Sequence, residues 1–114
     1  ILVHYMLRKM TSMMDKLMVY PDNMMRNLEK TGGLIFSQSV LLALVRKGIT
    51  REEAYKLVQK NAMQSWTKGK DFLTLLKKDK DIRKLLSAGE IDQNFKLKTQ
   101  FKNIDRIFKR VFKK

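Results

Sequence analysis

Cysteine is absent from the 114 residues, and histidine occurs once, as His4. The first gap excludes a disulfide framework, a cysteine-based zinc set and a thiol nucleophile. The second means that a Ser-His pair could only use His4. Proline also occurs once and glycine five times, too few turn-formers for a sandwich of short strands, so helices are expected. The longest apolar run is Val40 to Val45, against roughly 20 residues needed to cross a bilayer. The apolar opening, Ile1 to Val3, is too short for a secretory leader and has no basic residue before it. A chain that opens on Ile1 rather than Met is expected to be a piece of a longer polypeptide. The lack of cysteine and of a leader predicts a cytoplasmic protein.

What is present is ordinary in hydrophobicity and extreme in charge. Apolar residues make up 44% of a 13.5 kDa chain, enough for one domain with a single core. Lys and Arg number 25 against 11 Asp and Glu, a formal charge of +14. The excess is +4 over residues 1–57 and +10 over 58–114, and residues 96–114 carry eight basic side chains and one acid.

Residues 1–20 read as one helix, about 30 Å long. Val3, Met6, Met10, Met13, Leu17 and Tyr20 recur at steps of three and four, an a/d stripe that Leu7, Met14 and Met18 widen. Seven of the eight methionines lie between Met6 and Met25. Their spacing favours gap-filling between bundled helices over an adaptable, calmodulin-like surface. Pro21 ends this helix and opens a short polar one over 22–30, which Thr31-Gly32-Gly33 stops. Leu34 to Lys47 reads as a central helix, apolar on nearly every side, closed by Lys47-Gly48. Thr50-Arg51-Glu52-Glu53 is a capping box opening a helix over 51–68, with Tyr55, Val58, Ala62 and Trp66 as its inner face and Gly69 as its end. Asp71 caps the next helix (Phe72, Leu73, Leu75, Leu76). Asp79 or Asp81 caps one carrying Ile82, Leu85 and Leu86. Ser87 and Glu90 form a second box, with Ile91 and Phe95 turned inward. The last helix spans 100–112, with Phe101, Ile104, Phe108 and Val111 at helical spacing.

The candidate chemistry is sparse. Thr31-Gly32-Gly33 precedes a helix start, where anions bind, but the Walker spacing and its Lys-Ser/Thr are missing, so a helix stop and hinge is the expectation. Ser37 and Ser39 lack a nucleophile elbow, and hydroxyls bonding back to the preceding turn are expected. His4 lies beside the stripe as a surface or bundle residue. Asp71, Asp79 and Asp81 are surrounded by Lys77, Lys78 and Lys80, so capping explains them better than a metal. The basic tail could hold nucleic acid phosphates or an anionic membrane. However, its aromatic residues stand at core spacing, and no zinc-finger, basic-zipper or RNP signature accompanies it. A solvated face is therefore expected.

A longer pattern supplies a context. Val19-Tyr20-Pro21-Asp22-Asn23-Met24, then Asn27-Leu28-Glu29-Lys30-Thr31-Gly32-Gly33-Leu34-Ile35-Phe36-Ser37-Gln38, Val40 to Leu44, Arg51-Glu52-Glu53-Ala54-Tyr55, Val58-Gln59, Asn61-Ala62-Met63 and Trp66 resemble the C-terminal region of the adenylosuccinate lyase family, within the fumarase/aspartase superfamily. Ile104-Asp105, Ile107-Phe108 and Arg110 resemble its closing helix. The resemblance implies an all-α fold, with residues 1–20 as the end of the last long helix of a central bundle and 21–114 as a small C-terminal helical domain. It implies a homotetrameric parent, joined through the stripe of residues 1–20. That parent eliminates fumarate from adenylosuccinate, giving AMP, and from the succinylated aminoimidazole carboxamide ribotide of purine synthesis, without metal or organic cofactor. A loop serine acts there as base and a histidine as acid. Neither maps onto this chain: His4 is outside the family's histidine motif and Ser37 is not the loop serine. No catalytic, substrate-binding or metal residue is assigned, and the chain alone is expected to be inactive. No specific nucleic acid and no membrane partner are expected.

The pattern is broken in places. Ser39 stands where the family usually has arginine. Lys96 replaces an aspartate after Phe95, and Thr99 to Asn103 replace a stretch rich in Tyr, His and Arg. Two other readings remain at this level: a basic helical module binding nucleic acid or an anionic surface, and an interaction module docking through its Met-rich first helix.

Overall fold

Side-chain caps set the starts of four helices, and the structure, a computed structural model, describes residues 1–112. Helix α1 covers Leu2–Asp15 and α2 Pro21–Glu29. A 3-10 turn, Leu34–Phe36, leads into α3, Ser37–Arg46. Then follow α4 (Arg51–Lys68), α5 (Phe72–Lys78), α6 (Lys80–Leu85), α7 (Ala88–Asn94), α8 (Leu97–Phe101) and α9 (Ile104–Val111). Among the described residues there is no strand, and the fold is all-α.

Both capping boxes form as read. The Thr50 hydroxyl accepts from the Glu53 amide at 3.2 Å while the Glu53 carboxylate accepts from the Thr50 amide at 3.0 Å. Ser87 and Glu90 repeat the exchange at 3.2 and 2.8 Å. Asp71 caps α5 by accepting from the Thr74 amide, and Asp79 caps α6 by accepting from the amides of Asp81 and Ile82. Such bonds satisfy helix-start amides that have no partner within the helix. Gly69 closes α4 in the left-handed conformation, φ 61°.

The core lies between α3 and α7. Val40, Leu41 and Leu44 of α3 meet Ala54 and Val58 of α4, Phe72 and Leu76 of α5, Ile82 of α6, Leu86, and Ile91 of α7. Leu44, Phe72, Leu76, Ile82 and Ile91 are fully buried. Each such side chain contributes about 1.5–3 kcal/mol by leaving water. Phe95 is half-buried, its ring 5.0 Å from that of Phe36 and 5.9 Å from that of Phe72.

Several boundaries and faces differ from the sequence reading. The first helix stops at Asp15, not at residue 20. Tyr20 is extended (φ −115°, ψ 84°), as a residue before proline prefers. The expected helix 34–47 is divided, its first turn being 3-10. The last expected helix, 100–112, is two pieces, α8 and α9. Its Phe101, Ile104, Phe108 and Val111, read as core spacing, are all exposed. The inner face of α4 is rotated: Ala54, Val58, Asn61 and Ser65 are buried, whereas Tyr55 and Trp66 face outward, Trp66 at 75% exposure. Every residue of the expected stripe on α1 is exposed. The described molecule measures 62 × 32 × 24 Å.

Among the described residues no single helix is long and apolar enough to cross a membrane. Pro21–Glu29 and Leu34–Arg46 reach that length and composition only together, across a 77° bend, and Val40, Leu41 and Leu44 commit the second of them to the core.

Candidate functional site

The glycine corner after α2 is closely fitted against its neighbours. Gly32 and Gly33 both take positive φ, 57° and 86°, which glycine reaches without the Cβ penalty. The Gly32 carbonyl accepts from the Phe72 amide at 3.1 Å, tying the corner to the start of α5. A Cβ on Gly33 would lie 2.9 Å from Cε1 of Phe95. The Thr31 hydroxyl donates to the Leu28 carbonyl at 2.8 Å. The corner is thus a helix stop locked over the Phe36–Phe72–Phe95 cluster.

Beside it an open groove of about 420 Å³ runs between the corner and the end of α4, lined among others by Lys30, Gly32, Ser65, Trp66 and Lys70. Buried Ser65 donates to the Lys70 carbonyl at 2.6 Å, so its hydroxyl is committed to the α4–α5 connection. Asp71, on the groove's edge, is committed to Thr74, accepting from both its amide and its hydroxyl at 2.8 and 2.7 Å.

Of the carboxylates read as caps, Asp71 and Asp79 are caps, whereas Asp81 lies inside the first turn of α6. Asp79 accepts from Asn61 Nδ2 at 2.8 Å and from Lys60 Nζ at 3.4 Å, besides its two helix amides. Burial pushes its pKa up, but the Asn61 donor, the Ile82 and Asp81 amides and Lys60 outweigh that and hold it below the ordinary aspartate value. Asp81 pairs with Lys84 at 3.0 Å, one turn along α6. Glu90 meets Lys47 at 2.6 Å. That pair, with the Ser87 amide and hydroxyl, lowers its pKa from 4.5 to about 2. Among the described residues no three His, Asp or Glu side chains gather as a metal site.

The nucleophile candidates are not assembled. The Ser39 hydroxyl donates to Asn94 Oδ1 at 2.9 Å, a partner that cannot take its proton. This corrects the expectation that it would bond back along α3. His4 lies on the exposed α1. The structure therefore brings Asp79 to Asn61 and Ser39 to Asn94, both as structural joints. Asn61 and Asn94 were missed in the sequence, where a lone Asn within a helical pattern carries no signal of what it faces.

Two comparisons place this arrangement. A family model described as "Adenylosuccinate lyase C-terminus" matches residues 33–111. The adenylosuccinate lyase of Synechocystis sp. is similar to the chain, 48% identical over 112 residues, which cover 97% of this chain and 26% of that relative. The chain thus spans about a quarter of the length of the curated relative it matches.

Proposed function

The chain belongs to the family of the adenylosuccinate lyase C-terminus, and we propose that it is the C-terminal part of a lyase that eliminates fumarate from adenylosuccinate, giving AMP. The observation that carries this reading is the 48% identity over nearly the whole chain, alongside a family match running from the glycine corner to the end of α9. The same parent enzyme acts on the succinylated aminoimidazole carboxamide ribotide. Its β-elimination needs a base for the proton beside a carboxylate and an acid for the leaving nitrogen. Both come from parts of the enzyme other than this chain, and no metal or organic cofactor takes part. The engagement of Ser39 by Asn94 and the position of His4 on an exposed helix support that division.

Residues 1–20 belong to the central bundle, with α1 as the end of its last long helix, and 21–114 are the C-terminal domain. The exposed stripe Val3, Met6, Met10, Met13 and Leu17 supports a role for α1 in joining subunits of a homotetramer. The enzyme is cytoplasmic, its substrate is a small nucleotide, and it binds no nucleic acid specifically.

Two measurements test the reading. The 114-residue chain, incubated with adenylosuccinate and followed by ultraviolet absorbance, is expected to form no AMP. A chimera in which it replaces the matched 26% of the Synechocystis enzyme is expected to retain turnover. Activity of the isolated chain, or a folded but inactive chimera, would overturn the proposal.

A further inference from the structure

The chain beyond Leu86 is fastened to the rest by little apolar burial and by several polar joints. Among the described residues from Ser87 to Phe112, Ile91 is the one buried side chain. By contrast α3 buries Val40, Leu41 and Leu44, α4 Ala54 and Val58, and α5 Phe72 and Leu76. Four ion pairs are found among the described residues, and two of them end on α7. Glu90 meets Lys47, which caps the end of α3, and Asp92 meets Lys77, in the last turn of α5, each at 2.6 Å. The Ser39–Asn94 bond is a third joint. One seven-residue helix is thus tied to both ends of α3 and to the end of α5.

The same segment has a break behind it and a covered cluster in front. Leu86 and Ser87 are both extended, ψ 131° and 161°, so the helical backbone is interrupted between α6 and α7. Leu86, 2% exposed, anchors the near side of that break. Phe95, at the end of α7, lays its ring 5.0 Å from that of Phe36 and 5.9 Å from that of Phe72, against Gly33. An element attached through few buried apolar contacts opens at a lower free energy than the core it covers. We propose that the segment from Ser87 onward is a latched flap. It turns about Leu86–Ser87, the pairs Lys47–Glu90 and Lys77–Asp92 are its latch, and its opening bares Phe36, Phe72 and the glycine corner while α3 to α6 stay folded. Because the latch is made of charge, its setting answers to the charges on those four side chains. All the joints lie within this chain, and the inference does not depend on the lyase reading.

The test is native-state hydrogen exchange of the whole chain, resolved by residue. The amides from Ile91 to Asn94 are expected to be about tenfold or more less protected than those of Leu44 and Leu76. Lys77→Asp, which sets a like charge against Asp92, should speed the α7 amides about tenfold. Adding Asp92→Lys restores the pair in reverse and should return them to near the wild-type rate. Asp79→Ala, whose lost bonds all lie within α4 to α6, should speed Leu44 and Leu76 and leave the α7 amides unchanged. Equal protection of α7 and the core in the wild type, a shared response to Asp79→Ala, or no rescue by the reversed pair would overturn the proposal.

Discussion

The Ser39 hydroxyl on α3 and the Asn94 carboxamide on α7 meet at 2.9 Å across 55 residues of chain. Asn94 is itself oriented by donating to the Glu90 carbonyl at 2.8 Å, so its oxygen is presented to α3 by its own helix. This bond joins the first and last helices of the core. Ser39→Ala leaves the half-buried Asn94 oxygen without that donor and is expected to cost about 1 kcal/mol. The further loss from Asn94→Ala should be smaller in the Ser39→Ala background than in the wild type, because both changes remove the same bond. Urea unfolding of the two single variants and the double variant checks this.

Gly33→Ala meets two obstacles at once, a φ of 86° and a Cβ contact of 2.9 Å with Phe95. Gly48 has a similar φ of 100° but open space around it. Gly33→Ala is therefore expected to destabilise by at least about 2 kcal/mol and Gly48→Ala by about 1 kcal/mol. Thermal unfolding of the two variants side by side separates backbone strain from the clash. Equal losses would show that Phe95 yields freely.

Asp79 and Glu90 have folded pKa values below their ordinary ones, 3.8 and 4.5. A lowered carboxylate pKa means that the unfolded chain binds protons more tightly than the folded one. The stabilisation is thus complete above the ordinary value and is lost as the pH falls towards the folded one. For Glu90 that window runs from 4.5 down to about 2. Carboxylate titration by NMR should find Glu90 ionised well below pH 4, and Lys47→Met should move it back up. Asp79→Ala, which also removes the α6 cap, is expected to cost about 1–2 kcal/mol at neutral pH.

The stripe on α1 and the residues just after it should drive association of the chain. Each buried Met or Leu contributes about 1.5–3 kcal/mol, and Val3, Met6, Met10, Met13 and Leu17 are all exposed on a single chain. Met10→Lys with Met13→Lys is expected to give a monomer in sedimentation velocity. The helical circular dichroism from α3 to α7 should persist, because that core uses no residue of α1. A wild type that is already monomeric would count against the bundle role proposed for residues 1–20.

Local boundaries and the inner faces differ in how far they could be read. Thr50 with Glu53, Ser87 with Glu90, Asp71, Asp79 and Gly69 all act within a few residues of themselves. Their bonds are therefore written in consecutive positions, and each was legible from the sequence. The family resemblance was legible for the same reason, as a run of residue identities. The α4 face was not. Periodicity placed Tyr55 and Trp66 inward because they are large and apolar, yet Asn61 and Ser65 hold that side. Burying them is affordable only because Asp79 and the Lys70 carbonyl arrive to accept their hydrogen bonds. The tail misled in the same way, its helical apolar spacing being equally suited to a core and to an open surface.

The sequence by itself determined the boundaries that caps and glycine stops mark, that the chain is all-α, and to which family it belongs, because caps, glycine stops and residue identities need no distant partner. Only the tertiary structure decided which faces are covered: that Asn61 and Ser65 are inside, that Ser39 answers Asn94, and that α1, Trp66 and α9 are left open. Burial is a property of pairs of elements, and the partner that makes a polar residue acceptable inside, or leaves an apolar one outside, is supplied by chain that is remote in sequence and adjacent only after folding.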